Sequence, residues 1–167
     1  MKIRKANKND FETICLYIRK IAEYEKMLDD ITWSNKELYE QLFIKENAYV
    51  LIGELDNKPI GFALYCTTFS TFRGKQTLYL EDLFIDEEYR NKGYGKMFFT
   101  ELLKIAKTSN AGRMEWVCLD WNISSINFYK YLGAIAMDEW TTYRLSDDKF
   151  DETIKKISLK NSCLSNR

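Results

Sequence analysis

Apolar residues fall along the chain in short blocks whose spacing switches between the helical and the strand period. Lys2 to Lys5 reads as a short strand. Asn7, Asn9 and Asp10 are good caps for the next segment, where Phe11, Ile14, Cys15, Ile18, Ile21 and Ala22 recur at helical spacing. Ser34 with Glu37 three residues on forms a capping box that opens a second helix through Leu38, Leu42 and Phe43. The apolar run Ala48 to Leu55, the turn Asp56-Asn57-Lys58-Pro59 and the run from Ile60 to about Thr68 predict a hairpin with a polar tip. Thr77 to Ile85 is the third strand of this series, and its Leu, Tyr, Phe and Ile content fits a central position. A Gly-containing segment then leads into a helix from about Gly95 to Lys107, apolar at Phe98, Leu102, Ile105 and Ala106. Met114 to Leu119 returns as a strand, Ser124 to Tyr131 as a helix that stops near Gly133, and a last strand is predicted near Trp140 to Leu145.

The order β, α, α, β, β, β, α, β, α, β predicts a three-layer α/β arrangement around a mixed sheet. A chain of 167 residues without repeats or a Pro- or Gly-rich linker is expected to form one domain, residues 1–157, with a polar, flexible tail over 158–167. Its 25 basic and 25 acidic residues cancel, which removes the electrostatic drive toward nucleic acid or an anionic membrane. The polar N-terminus and the lack of a long apolar run predict a protein that is neither secreted nor membrane-spanning. Cys15, Cys66, Cys118 and Cys163 are scattered, as suits a reducing cytoplasm, and no histidine is present to complete a zinc site, so no metal is expected. The missing histidine also excludes every Ser-His-Asp and Cys-His mechanism. Acid-base chemistry must come from Asp, Glu, Tyr, Lys or Cys.

Between the strand ending at Ile85 and the following helix lies Arg90-Asn91-Lys92-Gly93-Tyr94-Gly95-Lys96. Glycines at the entry to a helix let successive N–H groups converge where the positive end of the helix dipole also points, which suits a pyrophosphate. Arg90, Lys92 and Lys96 add charge for phosphate oxygens. A strand-to-helix turn that uses glycine for geometry alone has the same appearance. No Gly-Lys-Ser/Thr follows as in a Walker loop, and Phe98 stands where a dinucleotide fingerprint needs its third glycine.

Arg-x-x-Gly-x-Gly between a strand and a helix resembles the coenzyme A signature of the GNAT acetyltransferases. Tyr79-Leu80-Glu81-Asp82-Leu83-Phe84-Ile85 with Tyr89-Arg90 is similar to the spermidine/spermine and thialysine N-acetyltransferase branch. So is Asp120-Trp121-Asn122 leading to Asn127-Phe128-Tyr129-Lys130 and Gly133-Ala134. The similarity is strongest from about Gly61 to Ala134. It implies a GNAT-like fold, a mixed and mostly antiparallel sheet flanked by helices on both faces, with splayed central strands. It also implies acetyl-CoA as co-substrate, a primary amine of a small molecule as acceptor, and a homodimer. Cofactor contacts would come from Leu83, Phe84 and Ile85, from the loop residues Arg90, Asn91, Lys92, Gly93, Tyr94, Gly95 and Lys96, and from Asn122 and Tyr129.

An alkyl ammonium with a pKa near 10.4 must lose a proton before it can attack, and the departing thiolate gains from receiving one. By resemblance Glu81 is the group that deals with the amine, and Tyr129 donates to the sulfur. In a strand of strict period two, Glu81 and Asp82 point to opposite faces, absent a bulge. Ion pairing or backbone bonding would equally explain a buried Glu81, simple packing Tyr129, and helix capping Asn122. Asp82, Tyr24 and Glu25 complete the expected amine site, the last two within the acidic stretch Glu23 to Asp30. Arg73 stands in the turn Phe69 to Arg73 where the polyamine enzymes carry an acid, so thialysine, another amino acid and a diamine all stay open as acceptors. Cys118 raises a covalent route, but no histidine is present to form its thiolate, so direct transfer is expected. A peptide or protein N-acetyltransferase and a noncatalytic CoA-binding sensor are the alternative classes.

Overall fold

The computed structural model describes the backbone of residues 1–164 and the side chains of residues 1–158. The chain divides into two compact units, Met1–Cys118 and Leu119–Arg167, where one domain through residue 157 is the expectation from sequence.

The first unit holds β1 (Lys2–Lys5), α1 (Phe11–Glu25), α2 (Asn35–Phe43), β2 (Tyr49–Leu55), β3 (Lys58–Ser70), β4 (Lys75–Ile85), α3 (Tyr94–Thr108) and β5 (Arg113–Glu115). The strands form one sheet in the order β1-β2-β3-β4-β5; the first three pairings are antiparallel and β4–β5 is parallel, as the α3 crossover requires. α2 starts at the predicted capping box, with the Ser34 side chain accepting from the Glu37 N–H and Glu37 accepting from the Ser34 N–H. α1 stops because Lys26 turns left-handed at φ 62°, sending the Met27 N–H back to the Ala22 carbonyl at 2.8 Å.

Strand alternation gives the sheet two apolar faces. Val50, Ile52, Phe62 and Leu64 pack under α1 and α2 with Ile14, Tyr17 and Leu42, and the Tyr17 ring stacks on Phe62 at 5.4 Å. The opposite face meets α3, where the Phe98 ring lies 2.7 Å from the place a Cβ on Gly53 would take. This is the expected sheet with helices on both sides.

β5 is shorter than the predicted Met114 to Leu119. It pairs with β4 only over Thr77–Tyr79, and beyond Tyr79 no described strand lies along that edge of β4. β4 thus runs on past the end of the edge strand β5. On its other side β4 stays paired with β3 to Ile85, but the register shifts between Leu64 and Tyr65: Leu64 faces Asp82 and Tyr65 faces Leu80, so Glu81 is an extra, bulged residue.

The second unit contains α4 (Ile123–Tyr131) and α5 (Phe150–Leu164). α4 ends as predicted at Gly133, φ 86°, with the Ala134 N–H bonding the Tyr129 carbonyl at 3.1 Å. The strand predicted at Trp140 to Leu145 is absent: the segment is irregular, and Trp140, Tyr143 and Leu145 are exposed. An alternating pattern makes a strand only where another backbone completes the ladder, and none of the described segments does so here. Of the residues expected as a flexible tail, 158–164 fall in α5, and 165–167 lie outside the described residues.

Gly61 faces Ile85 across the β3–β4 pair, where a Cβ would sit 2.6 Å from the Phe84 carbonyl oxygen. Since backbone cannot yield as a flexible side chain does, Gly61→Ala is expected to cost about 1–3 kcal/mol. Urea unfolding measures this; an unchanged midpoint would mean the strands are not held this close.

Candidate active site

The bulge decides which charges meet. Without the extra residue, Glu81 and Asp82 would point to opposite faces of the sheet. With it, Asp82 shares the face of Leu64 under α1, and the Glu81 charge reaches the Asp82 carboxyl. Asp82 is half-buried, and burial first, then Glu81 and Glu25, push its pKa up to about 7. Glu25, at the end of α1, is itself raised by burial. One acid from a helix and two from a strand thus share one side of the sheet. Glu81 differs from the sequence expectation of an acid sunk among apolar neighbours: it is exposed, and its charge also raises Tyr79 and Cys66. The half-buried acid is Asp82.

Beside this group runs the open edge of β4. The Asp86 N–H bonds the Ile60 carbonyl at 3.0 Å, which fixes the alternation of the antiparallel ladder. Phe84 and Asp82 then turn their backbone groups to β3, while Leu83 and Ile85 turn theirs to the edge that β5 has left. An extended amide-bearing chain could pair there as an added strand would.

The loop that follows comprises a 3-10 turn, Glu87–Tyr89, and the exposed residues Asn91, Lys92 and Gly93, two of them left-handed at φ 60° (Asn91) and 84° (Gly93). Gly93 is the cap of α3, so Gly95 lies inside the first turn rather than ahead of the helix as expected. A Cβ on Gly93 would meet nothing within 4 Å; the glycine is required by its backbone angle, and the space beside it is open. The first turn has no acidic residue to offset the helix dipole and carries Lys96. The amides of Tyr94 and Gly95 precede the first intrahelical bond, from the Met97 N–H to the Gly93 carbonyl at 3.3 Å. These features fit a diphosphate.

The loop cations divide their work. Arg90 is half-buried: its Nε donates to the Ile85 carbonyl at 2.9 Å, and its guanidinium lies over the rings of Tyr24 at 4.8 Å and Phe84 at 5.1 Å. It therefore braces the loop, and Tyr24, expected among the amine contacts, takes part in that brace. Lys92 Nζ donates to the Glu88 carbonyl at 2.8 Å and stands over Tyr89.

The acetyltransferase (GNAT) family model matches residues 14–134, a span that crosses both units. The chain belongs to that family. It is 40% identical over 99 residues to the L-ornithine N5-acetyltransferase of Arabidopsis thaliana, covering 59% of this chain and 43% of that one. Over 166 residues it is 30% identical to the thialysine N-epsilon-acetyltransferase of Bos taurus, covering 92% of this chain and 97% of the other. An integron cassette protein from the mobile metagenome of V. cholerae has the same fold, with a TM-score of 0.75 at 25% identity over 92% of this chain and 97% of that one. The protein is a GNAT acyltransferase.

In this GNAT chain Tyr129 and Asn122 belong to the second unit. Asn122 is the cap of α4, its side chain accepting from the Ser125 N–H at 3.2 Å, so the capping role is observed. Tyr129 is half-buried in α4, its ring 5.6 Å from Phe128. The sequence reading overlooked Asp86, Tyr17 and Lys20. Asp86 is buried and accepts hydrogen bonds from the Tyr17 hydroxyl, at 3.0 Å, and from Lys20. Only the spacing of Tyr17, Lys20 and Tyr24 on one helix face could have signalled them.

The raised Asp82 carboxyl has a consequence for stability. Between about 3.8 and about 7 the folded chain holds a proton there that the unfolded chain has lost, so this group makes stability fall as pH rises through that window, and the cost persists above it. Asp82→Asn is expected to gain about 1–3 kcal/mol relative to wild type between pH 5 and pH 8. Urea unfolding at the two values checks it; equal pH dependence in both proteins would contradict the assignment.

Proposed function

We propose that the protein moves the acetyl group of acetyl-CoA directly to a primary amine of a small cationic molecule, a diamine or polyamine or a thialysine-like amino acid. The observation that carries this reading is the group formed by Glu25, Glu81 and Asp82 beside the open edge of β4. Acids gathered under partial burial suit an ammonium, which relieves their mutual repulsion when it binds. The thialysine and ornithine acetyltransferases among its relatives point to the same chemistry.

In this reading the Leu83 backbone groups and the Ile85 N–H pair with the pantetheine amides, the Ile85 carbonyl being held by Arg90, and one of these N–H groups steadies the oxygen of the thioester as charge develops there. The diphosphate lies against the first turn of α3 and the Gly93 loop. Glu81, the exposed member of the acidic pair, draws in the ammonium. The pair then takes its proton, and Asp82, held near 7, is the member matched to a proton acceptor at neutral pH. The freed nitrogen attacks the thioester carbon, the carbon–sulfur bond breaks, and the nitrogen gives its second proton to water as it becomes the amide. Tyr129 passes its phenolic proton to the sulfur and regains one from solvent. Cys15 and Cys66 form no disulfide, which favours the cytoplasm, and the exposed Trp140 and Tyr143 favour pairing of two copies.

Thiol release from acetyl-CoA is expected with small diamines and lysine analogues, and not with peptides that offer only an N-terminal amine. Tyr129→Phe should lower kcat by roughly 10²- to 10⁴-fold. For wild type kcat/KM should rise with pH to about 7. Asp82→Asn should abolish that rise, whereas Glu81→Gln should act mainly on KM for the amine. Full activity in Tyr129→Phe, or turnover of peptides alone, would refute the reading.

A further inference from the structure

The residue joining β4 to the carrier loop is held at every polar atom it has. The Asp86 N–H donates to the Ile60 carbonyl at 3.0 Å, and its own carbonyl accepts from the Tyr89 N–H at 2.9 Å. Its carboxylate accepts from the Tyr17 hydroxyl at 3.0 Å and from the Lys20 ammonium. The side chain makes no capping bond to the 3-10 turn behind it, although an acid at a turn entry commonly does so. It is directed to α1 instead. Four residues on, Arg90 returns to the Ile85 carbonyl and to the ring of Tyr24. Tyr17, Lys20 and Tyr24 form one stripe along α1, so a single helix face grips the loop at both ends. The same helix ends in Glu25, the residue after Tyr24, whose charge reaches Asp82.

We propose that Asp86 is a positioning residue that fixes the carrier loop and the open β4 edge against α1, and so couples carrier binding to the amine-binding acids. The inference rests on the reading of this loop as the acetyl-CoA site. Without the carboxylate, Tyr17 and Lys20 lose their shared acceptor, and of these side-chain ties between the loop and α1 the contact of Arg90 with Tyr24 is left, beside the backbone bonds of Asp86 to Ile60 and Tyr89. Asp86 itself touches neither substrate. Its loss acts by letting the Ile85 edge and the Glu87–Tyr89 turn move together.

Calorimetry with coenzyme A and initial rates with acetyl-CoA test this on the full chain. Asp86→Asn and Lys20→Met are each expected to raise the Kd for coenzyme A and the KM for acetyl-CoA by about 10-fold, with kcat changed much less, and the double variant should be no worse than the poorer single one. Leu42→Ala, on the core face of α2, should lower the thermal midpoint at least as far while leaving Kd unchanged, which separates positioning from general loss of stability. If Asp86→Asn fails to fold, Lys20→Met, whose partner end is partly exposed, decides alone. Unchanged Kd and KM in a folded variant, or additive effects in the double variant, would overturn the role of Asp86. Failure of wild type to bind coenzyme A would instead overturn the reading of the loop.

Discussion

β4 has to stay paired with β3 to its last residue while parting from β5 after Tyr79, and the candidate site is built on that conflict. A strand flanked on both sides spends every N–H and C=O on its neighbours. One that loses a neighbour part-way turns backbone groups to an edge with no strand beside it, here those of Leu83 and Ile85, of which the Ile85 carbonyl is taken by Arg90. The extra residue at Glu81 lies just past the last β4–β5 pair, and a bulge sharpens the local twist and bend of its strand. The departure of β5 and the clustering of the carboxylates thus fall at the same point in the chain.

A bulge also costs a ladder position, and that loss is offset by packing on both faces. Tyr17 on Phe62 and Phe98 against Gly53 hold the sheet between α1 and α3. The Asp86 clasp then fixes the place where β4 ends. This arrangement keeps Asp82 and Glu25 partly desolvated without burying them fully, and leaves Glu81 exposed. A carboxyl fully cut off from water would stay neutral and attract no cation, and one wholly exposed would stay ionised and accept no proton at neutral pH. Asp82 lies between the two limits.

Most elements of the first unit were legible because each has a local cause. The Ser34–Glu37 box, the apolar period of Phe11 to Ala22 and the run Tyr49 to Leu55 do not depend on distant partners. The loop around Gly93 was legible for the same reason, since a left-handed cap before a helix is a property of a few successive residues. The last strand was misread because Trp140 to Leu145 alternates without a partner among the described segments. β5 came out shorter than its apolar run because pairing, rather than composition, ends a strand.

The sequence by itself determined the family and the order of the helices and strands through α4, all carried by short spacings and motifs. Only the tertiary structure decided that Glu81 is bulged and exposed, that Asp82 is the acid whose proton is held near 7, that Arg90 serves as a brace, and that Asp86 clasps α1. Each of these depends on which residue of one strand stands opposite which residue of another, or on a contact across 66 or 69 positions of chain, as for Lys20 and Tyr17 with Asp86. The bulge and the long-range contacts arise from the packing of whole elements, which no single short motif spans.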